Sequence, residues 1–162
     1  MANIVLTRID ERLLHGQVRI TWGKHSGANT ILIANDEVAG NPILQAPFKG
    51  AAGGEYHVLF RTVEQAIQNI PKAGPERKIL LLCNNPTDVA ALAEGGVPIS
   101  EVNIGNMHYH PGKTKVDANV CVDKKDMIAF EKLKALGIPS TIQHMPESAK
   151  KIIFDVVGEA VA

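Results

Sequence analysis

Short, uninterrupted apolar runs constrain the fold of this chain more than any other feature of its sequence. Strands of a parallel sheet are covered on both faces and form continuous apolar runs, whereas half-exposed strands alternate apolar and polar residues. Five runs are predicted strands: Ile4–Leu6, Ile31–Ala34, Tyr56–Phe60, Ile79–Cys83 and Val102–Ile104. Two shorter runs, Val120–Val122 and Thr141–Ile142, are weaker candidates. A polar stretch, residues 7–11, is expected to follow the first strand.

Signals that begin helices lie between these runs. Thr62 and Gln65 fit a capping box, and Asn85 stands as an N-cap before a proline. Asp123 predicts the start of a third helix, because apolar residues recur at three-residue steps after it. A last helix is expected to run from Pro146 towards the C-terminus. Strands that alternate with helices predict an α/β fold, with an open, mainly parallel β-sheet and helices on both faces.

Length and composition fit one globular domain, predicted to span residues 1–162. With 45% hydrophobic residues and a formal net charge of zero, the chain is neither disordered nor a general nucleic-acid binder, which needs a basic surplus. The longest clean apolar run, Ile79–Cys83, is far shorter than the ~20 residues of a membrane-spanning helix. Cys83 and Cys121 form no CxxC pair and are expected to be buried, reduced thiols in a cytoplasmic protein.

The richest irregular segment, residues 105–117, is predicted to be a loop and contains His108 and His110. Two imidazoles two residues apart could bind a metal ion with a third histidine from elsewhere in the chain, so a metal-dependent hydrolase is an alternative function. A flavodoxin-like binding or response module, phosphorylated on Asp36, is a third hypothesis. No GxGxxG motif follows a strand and no complete phosphate-binding loop is present, which argues against a dinucleotide-binding or P-loop enzyme.

The most informative cluster of polar residues follows the first predicted strand. A helix is expected to begin near Gly16, which places His15 beside unpaired backbone N–H groups, and such a place favours anions. Arg8 and Arg12 can make bidentate contacts with phosphate, and Asp10 can orient a ring or an arginine. Gly16 lets the backbone approach a ligand closely. The combination suits phosphoryl transfer through a phosphohistidine; a structural loop with Arg–Asp ion pairs and a surface histidine is the alternative.

The segment Arg8–Val18, which reads RIDERLLHGQV, closely resembles the active-site segment of one known family. That family is the IIB component of the mannose–fructose–sorbose branch of the bacterial sugar phosphotransferase system. The resemblance extends over nearly the whole chain, through Trp22 and three further segments: residues 34–39 (ANDEVA), 103–109 (NIGNMHY) and 112–113 (GK). The family implies an open, mainly parallel α/β sheet, which agrees with the pattern of apolar runs.

The resemblance implies roles for six residues of this segment. His15 matches the histidine that is phosphorylated, in relatives on Nδ1, and Arg12 matches the arginine that lies beside the phosphoryl group. No metal ion and no cofactor is expected. The roles of the remaining site residues are expected from their positions in the motif. Arg8, Gly16 and Gln17 are expected to bind phosphate, and Asp10 is expected to orient a ring or an arginine.

The family also implies partners. A phosphoryl group reaches IIB from a histidine of a IIA phosphocarrier protein and passes to a sugar that the IIC and IID membrane proteins carry in. Because the chain begins at the IIB strand, IIA is expected to be a separate protein, and IIC and IID are expected to hold the chain at the inner face of the membrane. Residues 34–39, 95–98 and 106–109 look most like the N-acetylgalactosamine and hexosamine branch, with mannose, fructose or sorbose as alternative sugars. No nucleic acid is expected as a partner, and a homo-oligomer is left open.

Overall fold

The computed structural model describes residues 3–158, in which strands and helices alternate along the chain. The strands are β1 (Asn3–Asp10), β2 (Thr30–Ala34), β3 (His57–Arg61), β4 (Lys78–Cys83), β5 (Val102–Asn106), β6 (Thr114–Asp117), β7 (Val120–Val122), β8 (Ser140–Ile142) and β9 (Lys151–Ile152). The first helix, α1, consists of a π-helical turn, Val18–Gly23, and a short α-helical piece, Lys24–Ser26. The others are α2 (Asp36–Ala39), α3 (Pro42–Ala51), α4 (Val63–Asn69, extended by a 3₁₀ turn, Ile70–Lys72), α5 (Pro86–Glu94), α6 (Lys124–Ala135) and α7 (Ile153–Val157).

One sheet organises the molecule, with the strand order β3-β2-β4-β1-β5-β8-β9. Every neighbouring pair is parallel except β8 and β9, which are antiparallel. Strands β6 and β7 form a separate antiparallel hairpin. The predicted α/β class with an open, mainly parallel sheet is therefore confirmed.

The sheet separates two apolar layers because side chains of a strand alternate between its faces. Leu80 and Leu82 of β4 pack with α1 residues such as Trp22 on one face. Leu81, from the same strand, packs on the other face with α5 and α6 residues such as Phe130. Because both faces are covered, the central strands contain continuous apolar runs, as the sequence pattern predicts.

Three predicted helix starts, at Thr62, Asn85 and Asp123, are confirmed, and both thiols are free and buried as predicted. The Thr62 hydroxyl accepts from the Gln65 N–H at 3.0 Å, and the Gln65 side chain accepts from the Thr62 N–H at 2.9 Å. The Asn85 side chain caps α5 by accepting from the Asp88 N–H, and Asp123 forms a second capping box with Asp126 at the start of α6. Both cysteines are free and buried, and burial raises the pKa of the Cys83 thiol, with a further contribution from Asp88.

The first strand is longer than predicted. Residues 7–10 were expected in a polar connection, but β1 continues to Asp10, and Arg8 and Asp10 are buried. Because β1 is paired with β4 on one side and β5 on the other, its backbone hydrogen bonds are satisfied, and the two charged side chains find partners within the protein.

Two predicted bounds are wrong. The last helix begins at Ile153 rather than at Pro146, because Lys151–Ile152 forms an antiparallel pair with β8. Its expected continuation includes residues 159–162, which lie outside the described residues. The segment 105–117, predicted as a loop, contains the end of β5 and the first strand of the hairpin, so its irregular part is shorter.

The candidate site lies at the carboxyl edge of the sheet. The chain passes from β1 to β2 on one side and from β4 to β5 on the other, so the winding direction reverses at β1. Ligands of open α/β sheets bind outside the carboxyl ends of strands at such a reversal point. The turn that follows β1 lies there, between the ends of β1, β5 and β8.

Candidate functional site

A tight turn connects β1 to α1 and determines where His15 lies. The Leu13 N–H donates to the Asp10 carbonyl at 2.8 Å, and the Glu11 N–H donates to the Asn106 carbonyl of β5 at 2.9 Å. Leu13 has a φ of 58°, a left-handed conformation that is uncommon for a branched side chain. The turn brings His15 to the start of the helical segment.

Both ring nitrogens of His15 have a partner. Nε2 lies 3.0 Å from Oδ2 of Asp10, and Nδ1 lies 2.9 Å from Nη2 of Arg12. A carboxylate only accepts and a guanidinium only donates, so Nε2 holds the proton and Nδ1 holds the lone pair. The His15 side chain is 17% exposed. The ring therefore presents a nucleophilic Nδ1 at the edge of the protein.

Asp10 is a fully buried carboxylate with three donors. Besides His15, its Oδ1 accepts from the Arg12 backbone N–H at 2.9 Å, and its Oδ2 accepts from the side-chain amide of Asn106 at 2.9 Å. Hydrogen bonds to a carboxylate stabilise its charged form. The Asp10 contact therefore holds the His15 ring in one orientation and in the tautomer with the proton on Nε2. Sequence reasoning assigned no function to Asn106, although a polar residue at the end of the strand beside β1 is a usable signal.

Arg8 lies beneath the site and is 2% exposed. Its Nη1 donates to the Asn103 side chain and to the Gln143 carbonyl at 2.9 Å, and its Nη2 donates to the His144 carbonyl at 3.3 Å. The guanidinium carbon lies 4.4 Å from the centre of the Trp22 ring. A guanidinium held in this way does not support the predicted direct contact with a phosphoryl group.

The charge of Arg8 acts on the site from within the protein. Burial lowers the pKa of Arg8 to about 10, and the nearby Asp10 carboxylate opposes this effect. Gly105 provides the space for the guanidinium, because a Cβ at that position would lie 2.3 Å from Nη2 of Arg8. Arg8 thus places a positive charge near the carboxylate that orients His15.

Gly16 and Gln17 lie at the exposed start of the helical segment. The Arg19 N–H donates to the His15 carbonyl at 3.1 Å, so the amides of the three residues between them precede the first helical hydrogen bond and can face an anion. A Cβ at Gly16 would meet no atom within 4 Å, so protein packing does not require glycine there. The Gln17 amide lies 3.4 Å from the sulfur of Met145, and Gln17 lines the same small cavity as His15 and Asp10.

The residues behind the two alternative functions have other contacts. Nδ1 of His108 lies 3.3 Å from the Glu11 carboxylate, which also contacts Nε2 of His110. Between residues 3 and 158, no group of three or more His, Cys, Asp or Glu side chains is arranged to hold a metal ion. Asp36 accepts a hydrogen bond from the Val63 N–H at 2.9 Å, at the start of α4. These contacts give neither alternative better support than the arrangement around His15.

Comparisons with known proteins point to one family. Residues 4–162 match the family described as PTS system sorbose subfamily IIB component. The chain is 43% identical over 157 residues to the N-acetylgalactosamine-specific phosphotransferase enzyme IIB component 2 of Escherichia coli K12, covering 97% of this chain and 100% of that protein. It is 39% identical over 158 residues to the PTS system mannose-specific EIIAB component of the same strain, covering 96% of this chain and 49% of that protein.

Comparison with solved structures identifies the same family. The crystal structure of the N-acetylgalactosamine-specific IIB component 1 from Escherichia coli superimposes with a TM-score of 0.89 at 40% identity, covering 92% of this chain and 98% of that one. In the part of the chain that the structure describes, no helix has the length and apolar character needed to cross a membrane.

Proposed function

Because the chain belongs to the sorbose subfamily of IIB components of the phosphotransferase system, which are phosphotransferases, we propose that His15 is the residue that accepts and passes on the phosphoryl group. The main support is the ring geometry: Nδ1 keeps its lone pair beside the Arg12 guanidinium, while Asp10 holds the proton of Nε2. A nucleophile with a partner that fixes its orientation is the arrangement that covalent catalysis requires.

The first step transfers phosphorus from the histidine of IIA. Arg12 releases its hydrogen bond to Nδ1 and turns to the phosphoryl oxygens, which frees the Nδ1 lone pair of His15. The lone pair forms a bond to phosphorus while the bond to the donor nitrogen breaks, and the electron pair of that bond stays on the donor ring. No proton has to leave His15, because Nδ1 has none and Nε2 keeps its own. The positive charge that develops on the ring is stabilised by the buried Asp10 carboxylate, which needs no reorganisation.

The second step transfers phosphorus to the sugar. A sugar hydroxyl oxygen forms the new bond to phosphorus, the P–N bond breaks, and its electron pair returns to Nδ1. The hydroxyl proton leaves to solvent. Arg12 and the amides that start the helical segment, including those of Gly16 and Gln17, are placed to hold the phosphoryl oxygens during both steps.

The partners and the sugar are part of the proposal. Relatives with 43% and 41% identity are named as specific for N-acetylgalactosamine, so this sugar or a related hexosamine is the proposed acceptor. The mannose-specific relative is an EIIAB protein of which this chain matches 49%. A IIA protein is the proposed donor, with IIC and IID as the membrane partners that hold the chain at the cytoplasmic face.

Phosphoryl labelling tests the proposal. Incubation with phosphoenolpyruvate, the general carrier proteins and a matching IIA should label the chain with acid-labile phosphate. His15→Ala should abolish labelling, whereas His57→Ala, an exposed histidine at the edge of the sheet, should leave it unchanged. Full labelling of a folded His15→Ala variant would show that another residue accepts the phosphoryl group.

The same assay separates the metal-dependent alternative. Transfer from purified phospho-IIA to the chain should proceed at the same rate after treatment with a chelator, because Asp10, Arg12 and backbone amides supply the required charges. A loss of transfer that added Zn²⁺ or Mn²⁺ restores would favour the hydrolase hypothesis built on His108 and His110.

A further inference from the structure

Glu11 lies between Asp10 and Arg12 and has no role in the proposed reaction, yet its carboxylate is engaged by a distant segment. It accepts a hydrogen bond from the His108 backbone N–H, and its Oε2 lies 3.3 Å from Nδ1 of the same histidine. Its Oε1 contacts Nε2 of His110. The Glu11 side chain is 25% exposed. A residue of the site turn is therefore tied to the segment 107–113.

The segment 107–113 is itself fixed at both ends. At its start, the Met107 N–H donates to the Asn119 carbonyl at 2.9 Å, and the Met107 carbonyl accepts from the Cys121 N–H at 2.8 Å. At its end, Nζ of Lys113 lies 2.8 Å from the Asp126 carboxylate in the first turn of α6. The imidazoles that hold Glu11 thus belong to a segment anchored on regular secondary structure.

The turn that Glu11 belongs to needs such support. Its left-handed residue, Leu13, costs about 1–2 kcal/mol, and a conformation of this kind persists only when its surroundings impose it. Arg12 is exposed, and its described side-chain contact is the one with Nδ1 of His15. The direction of the Arg12 side chain therefore depends on how firmly the turn is held.

We infer that Glu11 is a positioning residue of the phosphoryl-transfer site: by binding His108 and His110 it fastens the site turn to the segment 107–113 and keeps Arg12 on Nδ1 of His15. The inference rests on the proposed role of His15. It also assigns a purpose to the two histidines, which hold a carboxylate rather than a metal ion.

Two readouts on Glu11→Ala test this role. In ¹⁵N spectra of the His15 ring, Nδ1 should move towards the position of an unbonded imine nitrogen as the Arg12 contact is lost. The kcat for transfer from phospho-IIA should fall at least tenfold, towards the roughly 10²-fold loss that a misplacement of about 1 Å can cause, while KM for phospho-IIA stays within about twofold. Glu101→Ala is the matched control, since it removes an exposed carboxylate paired with Lys150 away from the site.

A second pair of variants guards against loss of folding. Glu11→Gln keeps an oxygen that can accept from the His108 N–H and should recover part of the kcat lost in Glu11→Ala. His110→Ala removes the other side of the contact and should shift the His15 signal in the same direction as Glu11→Ala.

The outcomes separate the inference from the proposed function. Wild-type His15 signals and wild-type kcat in Glu11→Ala, or in His110→Ala if Glu11→Ala does not fold, would overturn the inference. A raised KM with unchanged kcat would also overturn it, because Glu11 would then serve docking. Absence of label on His15 in the wild-type chain would instead refute the proposed function, whereas the ¹⁵N readout needs no transfer reaction.

Discussion

Gly105→Ala should destabilise the protein by displacing the buried Arg8 guanidinium. An added Cβ would lie 2.3 Å from Nη2, 2.5 Å from Cζ and 2.8 Å from Nε of Arg8. Unstrained carbon contacts need about 3.5 Å, so the guanidinium has to move by about 1 Å. It is not free to do so, because its donors bind the Asn103 side chain and the Gln143 and His144 carbonyls.

The magnitude follows from two contributions. Forcing an additional methyl group into a packed interior costs about 1–3 kcal/mol. Weakening a hydrogen bond from a buried charged donor costs about 1.5–3 kcal/mol more. The free energy of unfolding should therefore fall by about 3–5 kcal/mol. At about 2–4 °C per kcal/mol for a domain of this size, the Tm should fall by roughly 10 °C.

Thermal and urea unfolding, followed by circular dichroism, measure the effect. Gly16→Ala is the matched control, since its Cβ would meet no atom within 4 Å and it should change the free energy of unfolding by less than about 0.5 kcal/mol. In an Arg8→Met background the clashing atoms are absent, so Gly105→Ala should cost less than about 1 kcal/mol there. A Gly105→Ala variant that melts within about 2 °C of Gly16→Ala would refute this account of Arg8.

Three further predictions concern the charges of the site and of the neighbouring segment. Asp10→Asn should slow the phosphorylation of His15 by phospho-IIA about 10²- to 10⁴-fold. The asparagine side chain can donate as well as accept a hydrogen bond, so it no longer keeps the proton of the His15 ring on Nε2. An unchanged rate would contradict the role assigned to Asp10. Arg12→Ala should slow the same transfer about 10²-fold without a change in Tm, and Arg12→Lys should recover part of the rate. Burial acts to lower the pKa of Lys113, but the Asp126 carboxylate raises it above 10.5, so Lys113 stabilises the fold fully below that pH and loses its contribution as pH rises through the raised pKa. Urea unfolding of Lys113→Gln against wild type should thus show a constant difference near neutral pH that shrinks above about pH 10.5, and a difference that grows there would contradict it.

The sheet could be predicted from the sequence because each strand and helix leaves a signal in its own stretch of the chain. Each central strand is covered on both faces, which leaves a continuous apolar run, and caps such as Thr62 and Asn85 mark the helices between the strands. Part of the site was also predictable, since Asp10, Arg12 and His15 are within six residues of one another and a turn can bring them together.

What the sequence pattern missed depends on contacts between distant segments. Arg8 was expected to contact phosphate, because charged residues are rarely buried, but it is buried against partners from β5 (Asn103) and from the residues that follow β8 (Gln143 and His144). Asn106 was overlooked for the same reason, because its relation to Asp10 exists only through the pairing of β1 with β5.

For a different, local reason, the last predicted helix does not begin at Pro146. The Gln143 side-chain amide donates to the carbonyls of Pro146 and Ser148, both at 3.0 Å, and the Ser148 hydroxyl accepts from the Met145 N–H at 3.3 Å. These groups are used in a turn before a helix can form. Such local competition by polar side chains is not visible in the spacing of the apolar residues, on which the helix was predicted.

The position of β1 in the sheet also determines when the site can fold during synthesis. During synthesis His15 appears before most of the residues around it, because β1 finds its neighbours only when Lys78–Cys83 and Val102–Asn106 have emerged. The carbonyls that accept from Arg8 follow later still, at Gln143 and His144. Pairings over such long stretches of chain form slowly, because the entropy of closing the loop is lost before the contacts are gained. A nascent or truncated chain that ends before residue 144 therefore contains His15 without the groups that surround it in the folded protein, and the proposed transfer requires the chain to extend past that residue.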